Sequence, residues 1–132
     1  MFSVVIDTNV LVSGLLSNRG NPGVIVNELK NNRFNFYFNA EIIEEYKDVL
    51  HRENLGLRSQ DVNELIDLIK TIGVSIIPDK SDVALLDEDD RIFYDLAKST
   101  NAYLITGNTK HYPNDPLIVT PARFVELLSN DD

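Results

Sequence analysis

The sequence predicts an α/β fold in which one mostly parallel sheet is sandwiched between helices. Three observations lead there. Strand-like and helix-like segments alternate along the whole chain. The connections between them are short. The first strand, FSVVI (2–6), is a continuous β-branched apolar run, the pattern of a strand buried on both faces.

The elements follow in order. NVLVSGLL, after the first strand, has helical spacing. GNPG (20–23) breaks it, with Asn21 placed as a cap and Pro22 at a first helical position, so 22–31 reads as a short helix. FNFYF (34–38) is the second strand, and AEIIEEYKDVLHRE (40–53) an amphipathic helix. Ser59 is placed to cap the next helix. There Val62, Leu65, Ile66, Ile69 and Ile72 recur at helical spacing until Gly73 stops it. VSIIP (74–78) is the third strand. EDDRIFYDLAKST (88–100) is a helix with Ile92, Phe93, Leu96 and Ala97 on one side. AYLIT (102–106) and LIVT (117–120) are the fourth and fifth strands, and Thr120 with Pro121 opens a terminal helix through ARFVELL.

Composition narrows the function. The 132 residues suit a single domain over 1–132 with one core. No apolar run nears the roughly 20 residues that cross a bilayer, so no membrane partner is expected. The start MFSVVIDTN lacks a basic n-region, so no signal peptide is expected either. Zero cysteines exclude disulfides and thiolate metal sites and fit a cytoplasmic location. Two histidines are too few for a histidine-rich zinc cage, so any metal would be held by oxygen ligands, which suits Mg²⁺ or Mn²⁺. With 12 Lys+Arg against 21 Asp+Glu, the net charge of −9 argues against a broad basic face gripping nucleic acid.

The placement of the acids is the informative part. Asp7 ends the buried first strand, where an unpaired charge is strongly unfavourable, so a partner group or a ligand must satisfy it. At about 100° per residue, Ile42, Ile43, Tyr46, Val49 and Leu50 gather on one side of the 40–53 helix, and Glu41, Glu44, Glu45 and Asp48 on the other. Glu45 lies nearest the apolar edge. Asp87, Glu88, Asp89 and Asp90 stand at a helix start, where carboxylates cap and face the dipole. Asp90, four positions before Tyr94 and seven before Ala97, borders the buried edge, although geometry alone does not separate it from Asp89.

In open parallel sheets ligands bind beyond the carboxyl ends of the strands, where Asp7 and Asn108 fall. Two carboxylates about 4 Å apart repel by roughly 4 kcal/mol at an effective dielectric near 20, so converging acids need protons or a cation. Two other readings fit poorly. An Asp-x-Asp phosphatase needs an acid where Asn9 stands. A receiver domain needs an acidic pair at the first strand, which is missing, and finds only Asp79 after the third.

VIDTNVLVSGLL, EEYKDVL, DEDDRIFYDLA and AYLITGNTKHYP, in this order, resemble the PIN-domain family over about residues 3–128. The resemblance is to the bacterial branch of toxin components from toxin–antitoxin pairs. It implies a three-layer α/β/α sandwich with a central, mostly parallel five-stranded sheet. The activity implied is that of a Mg²⁺- or Mn²⁺-dependent endoribonuclease, and the partners implied are an RNA substrate, a cognate antitoxin protein and a second copy in a homo-oligomeric dimer. Carried over by motif, Asp7, Glu45 and Asp90 hold the metal, and Asn9 and Thr106 line the pocket. Asn108 takes a place where many members carry a fourth aspartate, and is left to position water or substrate. His111 resembles the same branch.

The expected activity is therefore metal-assisted hydrolysis of RNA phosphodiesters, with Asp7, Glu45, Asp90 and Asn108 as the catalytic set. The alternative is a catalytically silent PIN scaffold working through protein contacts. For so acidic a chain, recognition of RNA falls to a few cations near the motifs: Arg19, Arg91, Lys110 and His111, with Lys70 and Arg123 expected to lie away from the active edge.

Overall fold

In the computed structural model of the chain, which describes residues 1–131, β1 (Ser3–Ile6) runs through the middle of a five-stranded sheet. Val4, Val5 and Ile6 have no exposed surface, as their unbroken apolar run requires. The other strands are β2 (Asn35–Phe38), β3 (Val74–Ser75), β4 (Tyr103–Ile105) and β5 (Ile118–Val119). All pairings are parallel, in the order β3-β2-β1-β4-β5. The chain winds outward from β1 to one side and then returns to build on the other. The order therefore reverses between β1 and β4, and a crevice opens there beyond the strand ends.

Six helices flank the sheet among the described residues: α1 (Thr8–Leu16), α2 (Asn21–Lys30), α3 (Ala40–Leu50), α4 (Ser59–Ile72), α5 (Arg91–Thr100) and α6 (Pro121–Asn130). None is long and apolar enough to cross a membrane. The apolar stripes of α3 and α4 are buried as their periodicity demands, with Ile42, Tyr46 and Leu50 on α3 and Val62, Leu65, Ile66 and Ile69 on α4 inside. Phe124 of α6 closes the far end of the core, edge-on to Phe2, Phe34 and Tyr103 with ring centres 5.7, 5.7 and 5.9 Å away.

Four local expectations meet a different outcome. The strand expected over 74–78 is only Val74–Ser75. Its register pairs Val74 with Tyr37 and Ser75 with Phe38. Beyond Phe38 the partner strand ends, because Asn39 turns into α3 and accepts the Ile42 N–H on its side chain. Ile76 makes one more backbone bond, to the Phe38 carbonyl, and Ile77 then lies 93% exposed. Asn21 does not cap α2: Gly20 stands before the helix at φ 83°, a conformation that suits glycine, and Asn21 is the first helical residue. Ser59 does not cap α4 but begins it, and Arg58 before it pairs with Asp61 at 3.0 Å. The helix expected from residue 88 opens as a 3₁₀ turn, Glu88–Asp90, before α5. Asp87 caps that turn by accepting the Asp89 N–H at 3.0 Å, and Thr120 caps α6 through the Arg123 N–H, both as the sequence suggests.

The α1–α2 pair is the tightest helix contact. A Cβ on Gly14 would stand 2.5 Å from Val26 Cγ2 and 2.7 Å from the Pro22 carbonyl oxygen. Replacing Gly14 by alanine is expected to cost about 1–3 kcal/mol through overpacking. Urea denaturation should then show a lower midpoint at unchanged slope.

Candidate active site

Asp7 sits where β1 gives way to α1, with its backbone N–H still donating to the Ile105 carbonyl at 2.9 Å. It is 7% exposed. The β1–β4 register pairs Ile6 with Ile105, so the next residues, Asp7 and Thr106, come side by side. Thr106 Oγ1 donates to Asp7 Oδ2 at 2.9 Å, and the Tyr112 hydroxyl donates to the same oxygen at 3.1 Å. Protein donors thus satisfy half of the carboxylate that the sequence leaves unexplained. Thr106 Oγ1 also accepts the Asn108 N–H at 3.1 Å, and Asn9 Oδ1 accepts the Gly107 N–H at 3.3 Å. These bonds lace the 106–108 loop to the end of β1. Asn9, Gly107 and Asn108 line a small cleft of about 210 Å³ above it.

Glu45, on α3, is half-buried, and Thr8 Oγ1 donates to its Oε2 at 3.4 Å. Burial raises its pKa above the ordinary value, and the charges of Asp48 and Asp89 add to the rise against Thr8 and Arg52. Glu41, Glu44 and Asp48 are exposed, as their helical phase predicts. Asp90 is the acid that faces Asp7, while Asp89 is exposed and lies beside Glu45. Asp90 Oδ2 is sealed from solvent, and no described residue reaches it in hydrogen-bonding geometry; His111 Nδ1 stands 3.5 Å away. Burial raises the Asp90 pKa, with the charges of Asp7 and Asp87 behind it and His111 opposing.

The three acids do not close into one cage. Among the described residues no three carboxylate or imidazole side chains stand close enough to enclose a metal. Tyr112 donates to Asp7, and its pKa is raised by burial and by the nearby charges of Asp7 and Asp90. Glu45 is carried beside them by Thr8 and by Tyr46, whose buried hydroxyl donates to the Ile6 carbonyl. Burial, then Asp7 and Glu45, hold the Tyr46 phenol protonated. Sequence reasoning counted Tyr46 only as apolar and passed over Tyr112. Their one signal is a hydroxyl in a place where phenylalanine would pack as well.

The expected substrate cations divide. Lys110 and His111 lie on the short 3₁₀ turn Thr109–His111 beside the site, both exposed. Arg19 is exposed on the α1–α2 connection. Arg91 has another occupation. Its guanidinium donates to both Glu88 carboxylate oxygens at 2.7 and 2.8 Å, to Ser81 O and Oγ at 2.8 and 2.9 Å, and to the Val83 carbonyl at 2.6 Å. That uses its five N–H groups, so none is left for a phosphate. Asp95, nearly buried and absent from the expected site, completes the strap by accepting Ser81 Oγ at 2.6 Å and the Ser81 N–H at 3.2 Å. Arg91 and Asp95 thereby tie the irregular 76–87 segment to α5.

The strand-end Asp7, Glu45 on α3 and Asp90 before α5 all fall within a stretch that matches a known family. Residues 3–110 match the PIN domain. The chain belongs to the PIN-domain family. It is also 30% identical over 109 residues to an uncharacterized protein of Methanocaldococcus jannaschii, covering 80% of this chain and 70% of that protein. No solved structure matches the chain. PIN domains are nucleases in general and typically use divalent metals. The relative is archaeal, so these matches identify the family and not the bacterial toxin branch.

Two expectations follow from this PIN-domain site. A carboxyl whose pKa is higher in the fold than in the unfolded chain destabilises the fold once ionised. That penalty is full above the raised pKa and gone below the unfolded value. Asp90→Asn should therefore raise Tm in metal-free buffer at neutral pH, and the gain should vanish as pH falls towards the ordinary aspartate value of 3.8. Arg91→Ala should lower Tm and speed amide exchange over residues 81–83, read by hydrogen-exchange mass spectrometry.

Proposed function

We propose that this PIN domain is a divalent-metal-dependent endoribonuclease, a hydrolase of RNA phosphodiester bonds and the toxin component of a pair with a cognate antitoxin. The observation that carries the metal-dependent reading is Asp90 Oδ2: a buried carboxylate oxygen facing Asp7, with no well-formed hydrogen bond and only the half-exposed His111 ring beside it at 3.5 Å. Such an oxygen calls for a cation. The donor set is all oxygen, which suits Mg²⁺ or Mn²⁺. Asp7 and Asp90 would hold the ion, with Glu45 as the third carboxylate alongside them and not close enough in this structure to enclose it; when bound, the ion would supply charge neutralisation at the phosphate and a lowered pKa for water.

The chain's own residues do the rest. Thr106 and Tyr112 fix Asp7 Oδ2, so the carboxylate presents its other oxygen in one orientation. Tyr112 stays protonated and remains a donor at every working pH. Asn108, with its N–H tied to Thr106, presents its amide at the cleft it shares with Asn9, placed to orient water or a ribose hydroxyl. His111 stands beside Asp90 and is half-exposed, within reach of a phosphate. The RNA substrate, the antitoxin and a dimeric state rest on the motif resemblance, with RNA further supported by the hydroxyl and amide donors around the cleft.

A silent scaffold has one observation in its favour, the amide at Asn108 where a fourth acid would bind metal. Cleavage separates the two readings. With Mn²⁺, wild type should cut single-stranded RNA and EDTA should stop it. Asp7→Asn, Glu45→Gln and Asp90→Asn should each slow cleavage at least about a hundredfold, roughly 2.7 kcal/mol in barrier, while Glu41→Gln and Asp48→Asn stay within about twofold. Millimolar Mn²⁺ should raise the wild-type Tm and leave Asp7→Asn unmoved. Equal activity in wild type and Asp7→Asn would give the case to the scaffold.

A further inference from the structure

Two grooves flank the Asp7–Asp90 pair, and their charges are opposite. The first, about 740 Å³, runs between α3 and the turn before α5. Six carboxylates line it, Glu45 and Asp89 among them, against one cation, Arg52. The second, about 480 Å³, runs between the 109–116 segment and the start of α6. Lys110 and Arg123 line it, and its one carboxylate, Asp115, is already taken by Lys98 Nζ at 2.7 Å and the Leu117 N–H at 2.9 Å.

The wall between this second groove and the site is three residues long. Lys110 lines the groove, His111 stands beside Asp90, and Tyr112 lines the groove while its hydroxyl reaches Asp7. Arg123, expected from the sequence to lie away from the active edge, is here because α6 begins just beyond the end of β5, the edge to which every parallel strand points. Its ion pair with Glu126, 2.9 Å long, joins two exposed side chains and is weak enough for a phosphate to displace.

We propose that an RNA strand reaches the site across the Lys110–Arg123 groove and is turned away from the α3 side. The inference rests on the ribonuclease reading above. At physiological salt charges are screened beyond about 8 Å, so the strand responds to the groove it lies in and not to the net −9 of the chain. A track lined by Lys110 and the weakly paired Arg123 attracts phosphate, and a track in which Glu41, Glu45 and Asp89 have no ion-pair partner among the described residues repels it. A divalent ion held by Asp7 and Asp90 would offset the charge of those two carboxylates and not that of the α3 groove. Approach from one side follows.

The test is steady-state cleavage of a short mixed-sequence single-stranded RNA with Mn²⁺, together with anisotropy binding across a salt series. Lys110→Glu/Arg123→Glu should raise KM at least about tenfold with kcat within about twofold, and flatten the log–log salt slope by about 1.4, two phosphate contacts at 0.7 each. Lys110→Ala/Arg123→Ala should shift both in the same direction by less. Lys30→Glu/Lys70→Glu makes the same change in charge at the ends of α2 and α4, which lead into the starts of β2 and β3 at the opposite edge; it should leave KM within about twofold. Equal losses in the two glutamate variants, or a salt slope that Lys110→Glu/Arg123→Glu leaves unchanged while wild type cleaves, overturn the one-sided path while the ribonuclease reading stands. A wild type that neither binds nor cuts RNA overturns both.

Discussion

A carboxylate at the end of a strand with no exposed surface must find its donors inside the protein, and the rest of the site follows from how Asp7 finds them. Thr106 and Tyr112 supply two hydroxyls to one oxygen, each a charge-assisted bond of about 1.5–3 kcal/mol. Thr106 is there only because β4 pairs with β1 in the register Ile6–Ile105. A slip of one residue would bring Gly107 opposite Asp7 and turn the Thr106 side chain to the other face of the sheet. Thus the register of two central strands, itself set by buried side chains, decides whether the carboxylate is tolerable.

Around that bond the hydroxyls of two tyrosines act as struts. Tyr46 reaches from α3 to the last carbonyl of β1, which fixes the helix that carries Glu45. Tyr112, stacked on Tyr94 with ring centres 6.3 Å apart, reaches Asp7 from the far side. Burial and neighbouring carboxylates keep both phenols protonated, so they donate and do not add charge. The site is therefore rigid on its hydroxyl side and electrostatically uncompensated on its carboxylate side.

Much of this was legible because it is local. Alternating elements announce the sheet, FSVVI announces its buried centre, and helical phase alone separates Glu45 from Glu41, Glu44 and Asp48. Other features depend on partners that no local pattern displays. β3 is cut short because β2 ends opposite it, which no reading of VSIIP reveals. Arg91 and Lys110 look alike as exposed cations beside motifs, yet one is consumed by Ser81, Val83 and Glu88. Asp95 resembles any acid on a helix until Ser81 folds down on it. Asp90 faces Asp7, and Glu45 lies on a helix that Tyr46 ties to the end of β1.

The bonds that hold Asp7 span 99 and 105 residues of sequence. During synthesis Asp7 emerges 99 and 105 residues ahead of its two donors. Until Thr106 has left the ribosome the strand end that carries Asp7 has neither of its side-chain donors, and until Tyr112 follows it has only one. A growing chain therefore carries no assembled site until both donors have been made. In a member of a nuclease family, the long reach of these two hydrogen bonds delays assembly of the site until most of the domain is in place.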